Sequence, residues 1–184
     1  MVKTKWKNNN VLKEKSVDIP EELKENINKL LKENQIHEIL EDAQTVSNRY
    51  RNNDGKGKRL LTKESEAVSY AISRMPATYV AVSSVLEQTL NNYNEELTSV
   101  IDVGAGTGAV VWAVNDGATC NAINCLEREE SMINIGKKLM ENTDLNDVKW
   151  EEFDILQDEI QEKADLVITS YMINELPKGD REKA

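Results

Sequence analysis

The sequence predicts an α/β fold in which an N-terminal helical region precedes a parallel, doubly wound sheet of about four strands. Three observations carry this. Apolar residues recur at helical spacing as far as about Asn92, short β-rich runs alternate with helical stretches from Thr98 onward, and a glycine-rich loop joins the first of those strands to its helix. The expected organisation is a basic tail over 1–17, a helical region over 18–95 and a sheet domain over 96–184.

Asp18-Ile19-Pro20-Glu21-Glu22 reads as a helix start, because proline is tolerated in the first turn and acidic side chains there complement the helix dipole. Leu23, Ile27, Leu30 and Leu31 continue that helix. Ile36, Ile39, Leu40, Ala43 and Val46 put a second apolar face ahead of Arg49, Tyr50 and Arg51, and the turn residues of 52–58 predict a loop. A third helix is expected from about Lys63 to Met75, and Pro76 starts a fourth that reaches about Asn92. Ser99–Val103 is then the first strand, Ala109–Val114 a helix, Cys120–Glu127 the second strand and Glu129–Met140 an amphipathic helix. Val148–Phe153 and Ala164–Ser170 supply two more strands with a short crossover between them, and Tyr171–Leu176 opens a further helix.

Composition narrows the class. A chain of 184 residues buries roughly 70% of its unfolded surface without disulfides or metal. The longest apolar run, Ala109–Val114, is far below the roughly 20 residues that span a bilayer, so no membrane span is expected. The N-terminus is basic but is followed by Asn8, Asn9 and Asn10 instead of an apolar stretch, so a cytoplasmic location is expected. Cys120 and Cys125, without a histidine cluster, are expected as small core residues, and no metal is predicted. The net charge of -10 is uneven: residues 1–60 hold 13 basic and 10 acidic side chains, and residues 61–184 hold 10 and 23. Contact with a polyanion such as RNA would therefore fall on the N-terminal third.

The sharpest motif is Asp102-Val103-Gly104-Ala105-Gly106-Thr107-Gly108, between a predicted strand and a predicted helix. Glycines there allow a tight turn and a close backbone approach, and the helix N-terminus is expected to present free N–H groups to a nucleotide-type ligand. Glu127, about 20 residues on at the end of the second strand, can accept hydrogen bonds from both hydroxyls of a ribose. A glycine turn serving only strand-to-helix packing is the plain alternative. Gly104, Gly106 and Ala109 also satisfy a dinucleotide fingerprint, so NAD competes for the loop. Asp102 weighs against it, since a carboxylate suits a cationic amino-acid end and adds negative charge near a pyrophosphate.

Asp102-x-Gly104-x-Gly106-x-Gly108 followed by Glu127 resembles the first motif and acidic ribose clamp of class I S-adenosylmethionine-dependent methyltransferases. The resemblance implies a Rossmann-like sheet and S-adenosylmethionine as cofactor, bound by Asp102, Gly104, Ala105, Gly106, Gly108 and Glu127. It also implies an acidic side chain near the adenine amino group, which Asp154 would supply; capping of the next turn explains Asp154 equally well. Ser170, Tyr171 and Asn174 follow the fourth strand and are candidates for cofactor or substrate contact, with helix capping the alternative for Asn174.

Arg74-Met75-Pro76-Ala77-Thr78-Tyr79, preceded by Leu60-Leu61-Thr62 and Tyr70, lies ahead of the loop. With Glu127-Arg128-Glu129, Met132 and the Ser170–Leu176 stretch, it resembles the methyltransferase-like proteins associated with the mitochondrial small ribosomal subunit and their bacterial relatives, over about residues 45–177. This implies small-subunit ribosomal RNA or an assembling subunit as partner. Arg74 and Tyr79 are candidates for substrate or RNA contact, with packing the simpler role for Tyr79 and an anion or protein carboxylate the expected partner of Arg74. Arg49, Arg51, Lys56, Lys58 and Arg59 form a second candidate RNA contact that a solvated loop explains as well. Some relatives carry a cysteine cluster for an iron-sulfur centre beyond the matched region.

The expected function is an S-adenosylmethionine-dependent methyltransferase-like protein acting on small-subunit ribosomal RNA or in subunit assembly. A non-catalytic assembly factor retaining the fold is the alternative, and an NAD-binding enzyme the lesser one. No residue stands out as a catalytic base, and His37 is expected to be an ordinary helix residue. The resemblance implies seven strands where about four are legible, so the chain is expected to be an N-terminal fragment, inactive alone, with an exposed sheet edge that favours association.

Overall fold

A computed structural model describes residues 18–52, 61 and 63–182. The tail over 1–17 and Lys56, Lys58 and Arg59 lie outside the described residues. Four helices come first: α1 (Glu21–Glu33), α2 (Ile36–Asn52), α3 (Glu64–Ser73) and α4 (Met75–Asn92). Then follow β1 (Ser99–Val103), α5 (Ala109–Gly117), β2 (Ala122–Glu127), α6 (Glu130–Met140), β3 (Lys149–Glu152) and β4 (Leu166–Thr169), with a single 3-10 turn over Met172–Glu175.

The four strands form one parallel sheet in the order β3-β2-β1-β4. Strand β1 is central, with Val100 level with Ile123 on one side and Leu166 on the other. It alternates across the sheet: Val100 joins the core beneath the helices, whereas Ile101 and Val103 pack with Leu126 on the opposite face. Helix α5 is buried around its whole circumference over Ala109–Val114, which is why its sequence reads as an unbroken apolar run. It lies between the sheet and α4, and α6 beside it receives α1 and α3. Leu23, Leu30 and Val46 share one core with Val100 and Cys125, so the N-terminal helices and the sheet are packed as one body. The side-chain amide of the buried Asn26 donates to the Leu139 carbonyl (2.8 Å) and ties α1 to the end of α6.

The structure corrects several expectations. Only one face of the sheet carries helices; the β3–β4 crossover contains no helix, and Phe153, Ile155, Ala164 and Met172 cover the other face. The doubly wound arrangement is therefore realised on one side among the described residues. The element after β4 is one 3-10 turn. In α2, Ile39 and Val46 are buried, but Ile36 and Leu40 are 63% and 65% exposed, because the helix packs against α3 along a narrower stripe than its apolar residues outline. Cys125 is a buried core residue as expected, while Cys120 is half-buried with its thiol directed at the Thr98 and Ala122 carbonyls. Among the described residues β4 pairs only with β1, leaving one long side open beside the exposed Val167 and Val85. No described helix is long and apolar enough to cross a membrane.

Close approach of α6 to β3 depends on Gly136, where a Cβ would collide with the Trp150 ring. Gly136→Ala should lower the denaturation midpoint, because overpacking of about 1–3 kcal/mol outweighs the roughly 1 kcal/mol gained in helix propensity. A raised midpoint in chemical denaturation would contradict this packing.

Candidate functional site

The carboxyl ends of all four strands converge on one cleft, at the point where the order reverses between β1 and β4. Gly104 and Gly106 line it from the β1 loop, Glu127, Arg128 and Met132 from β2 and α6, Phe153 and Asp154 from β3, and Ser170, Tyr171, Met172 and Glu175 from β4. Tyr50 and Tyr70 from α2 and α3 close its outer wall.

The loop is held by backbone bonds. Gly104 and Ala105 N–H groups both donate to the Leu126 carbonyl (2.8 and 3.1 Å), Gly106 N–H donates to Glu127 Oε2 (2.7 Å), and Gly108 N–H donates to the Ala105 carbonyl (2.9 Å). The φ of 57° at Gly106 points its N–H at the carboxylate, a backbone region that a side chain strains. Four amides of the loop, those of Gly104, Ala105, Gly106 and Gly108, are thus engaged within the protein. Glu127 Oε1 also accepts from Glu129 N–H (2.9 Å). With the Arg128 N–H as a third donor, about one of the carboxylate's four acceptor sites is left over. Burial raises the Glu127 pKa, opposed by the hydrogen bonds from Glu129, Gly106 and Arg128 N–H groups and by the Arg128 charge.

Asp102 lies on the helix side of β1, fully buried, with both carboxyl oxygens unpartnered. A small void of about 20 Å³ separates it from Tyr70, Thr78, Thr107 and Ser170, and the Thr107 hydroxyl is also buried and unpartnered. Burial, with the Glu127 charge nearby, pushes the Asp102 carboxyl up to about 8. A buried polar group without a partner is costly, and a cation or water entering this void would relieve it.

The other predicted residues divide. Ala105 borders the void beside Asp102, and Ser170 faces both void and cleft. Tyr171 stands at the mouth, 60% exposed, with φ of 66°. Asp154 is at the rim and caps the following turn, accepting from Leu156 N–H (3.0 Å) and the Gln157 amide (2.9 Å). Gly108 begins α5 facing Met140 and Trp150, away from the cleft. Tyr79 is wholly buried between α4 and α5, its hydroxyl 3.5 Å from Asp116, so it packs these helices together, the simpler of the two roles expected for it. Arg49 forms an ion pair with the buried Glu66 (2.8 Å), whereas Arg51 is exposed. Arg74 lies over the Tyr50 ring (4.7 Å) and donates to the Ser47 hydroxyl (3.0 Å), not to a carboxylate of the protein. Asn174 is exposed beside it. Sequence reasoning missed Tyr50, Tyr70 and Glu175 as wall residues; the aromatic pair ahead of the Arg74 motif was the available signal. Burial pushes the Glu175 carboxyl up to about 7.

Comparison with known proteins decides the family. The model of the mitochondrial small ribosomal subunit Rsm22 family matches residues 64–184. The chain belongs to the Rsm22 family. A human relative, the ribosome assembly protein METTL17, mitochondrial, is 25% identical over 128 residues, covering 64% of this chain. The chain spans 28% of that relative's length. Among solved structures, a Methanococcus maripaludis protein assigned as an S-adenosyl-L-methionine-dependent methyltransferase is 22% identical, covering 59% of this chain and 51% of its own, with a TM-score of 0.49. Magnesium protoporphyrin IX methyltransferase from Synechocystis PCC 6803, with S-adenosylmethionine bound, is 17% identical over 77% of this chain and 67% of its own, with a TM-score of 0.45. For this Rsm22 family chain the fold assignment rests on its own strand order and crossover helices.

The buried Asp102 sets a pH dependence. The folded chain holds a proton up to pH about 8 that an unfolded aspartate releases near its ordinary value of 3.8, so folding stability falls as pH rises between those values. Between pH 5 and 8 the loss should reach at most about 1.4 kcal/mol per pH unit per proton. Glu175 adds the same sign, so the readout is the difference from Asp102→Asn, which should show the shallower slope in denaturant titrations; equal slopes would contradict a neutral buried carboxyl.

Proposed function

We propose that the chain is the S-adenosylmethionine-binding part of a methyltransferase-like protein that works in assembly of the small ribosomal subunit, with small-subunit ribosomal RNA as its partner. The observation that carries the reading is the buried, unpartnered Asp102 carboxyl beside a loop in which four amides are already engaged. Such a site fits a ligand with a cationic amino end. It suits a pyrophosphate less, because four amides of the loop are taken and the Glu127 carboxylate stands beside them. That observation weighs against the dinucleotide alternative.

S-adenosylmethionine would supply an electrophilic methyl group on sulfur. The residues of the chain would bind and orient it: Asp102 receives the amino end, the remaining acceptor capacity of Glu127 receives a ribose hydroxyl, and Phe153 and Asp154 border the place left for the base. Positioning supplies most of the acceleration in such a transfer. The name of the human relative supports the assembly role. It equally favours the second reading, an assembly factor that keeps the fold without catalysis. The open side of β4 supports association through that edge.

Calorimetric titration of the chain with S-adenosylhomocysteine should show saturable binding that Glu127→Ala and Gly106→Arg each weaken by about tenfold or more, the loss expected for hydrogen bonds to a charged group. Absence of binding to the folded chain would overturn the cofactor reading. Co-sedimentation with small-subunit precursors that persists in Gly106→Arg would favour the non-catalytic reading, and its loss the cofactor-dependent one.

A further inference from the structure

Beside the cofactor cleft lies a second cavity of about 350 Å³, bounded by Tyr50, Tyr70, Arg74, Tyr171, Asn174 and Glu175. Four of these residues, Tyr50, Tyr70, Tyr171 and Glu175, also line the cleft, so the two spaces share a wall. The Tyr50 and Tyr70 rings meet at 6.2 Å with a 38° tilt. The Tyr50 hydroxyl donates to the Glu175 carboxyl, leaving the carboxyl's remaining acceptor capacity for a ligand. The Arg74 guanidinium, flat on Tyr50, has five donors, of which one is given to Ser47. Tyr171, held at positive φ, places an exposed ring at the junction of both spaces.

Aromatic faces, a fixed carboxyl and an arginine around one cavity match the three parts of a nucleotide: a π-face, a hydrogen-bonding edge and a phosphate. We propose that this second cavity is the acceptor pocket and takes a nucleotide whose base carries an exocyclic amino group, the base stacking on tyrosine, its amino edge meeting Glu175 and its phosphate meeting Arg74. The assignment rests on the cofactor reading, because the shared wall is what brings such a base to the cleft. A carboxylate accepts from an amino group and repels a carbonyl at the same position. Burial places the Glu175 transition at about 7, so at pH 8 the carboxylate form predominates.

The test is competitive binding of cytidine and uridine 5′-monophosphates to the chain at pH 8, with S-adenosylhomocysteine titrated separately. The pocket predicts that the cytidine nucleotide binds about tenfold more tightly than the uridine one, the discrimination typical of such an edge contact. Glu175→Gln should remove that preference, since an amide can also donate to a carbonyl, and Arg74→Ala should weaken both nucleotides equally. Equal binding of the two nucleotides to the unmodified chain, or no binding of either, overturns the pocket assignment and needs no variant to fold. Nucleotide selectivity without S-adenosylhomocysteine binding would keep the pocket and overturn the cofactor reading instead.

Discussion

The Glu127 carboxylate holds two backbone segments at once, accepting from Gly106 N–H in the β1 loop and from Glu129 N–H at the entry to α6. Because Glu127 ends β2 and that strand pairs with β1 and β3, this one side chain sets the loop's height above the three strand ends. The Leu126 carbonyl, receiving the Gly104 and Ala105 amides, reinforces the same connection from the adjacent residue. The cleft floor is consequently built from β2, and the position of every other cleft residue is measured from it. Removing the carboxylate would leave the Gly106 and Glu129 amides without their acceptor, so the loop and the entry to α6 would both loosen.

The Asp102 carboxyl is buried near Glu127 with no protein partner, which holds it protonated and leaves a polar defect that a cationic or hydrogen-bonding group can repair.

Much of the fold was legible because strand and helix periods are local properties. Ser99–Val103 was identified to the residue, and the start of α4 at Arg74-Met75-Pro76 followed from the conformation proline imposes. What escaped was set by tertiary packing. Ile36 and Leu40 belong to an apolar face on paper, yet α3 covers only the stripe through Ile39 and Val46. Arg49 read as a cation for RNA because its partner Glu66 is remote in sequence and lies on another helix. The glycine pattern located the cleft but not the use of its amides, since that depends on where the Glu127 side chain and the Leu126 carbonyl fall in space. Tyr50, Tyr70 and Glu175 come from three distant segments and converge only once α2 and α3 fold onto the end of the sheet.

The most direct measurement is a crystal structure of the chain with S-adenosylhomocysteine. The account predicts the amino group of the ligand at hydrogen-bond distance from the Asp102 carboxyl, directly or through one water in the adjoining void, and a ribose hydroxyl on Glu127. A ligand bound in the cleft with its amino end in solvent and Asp102 still unpartnered, or a ligand bound elsewhere, would contradict it.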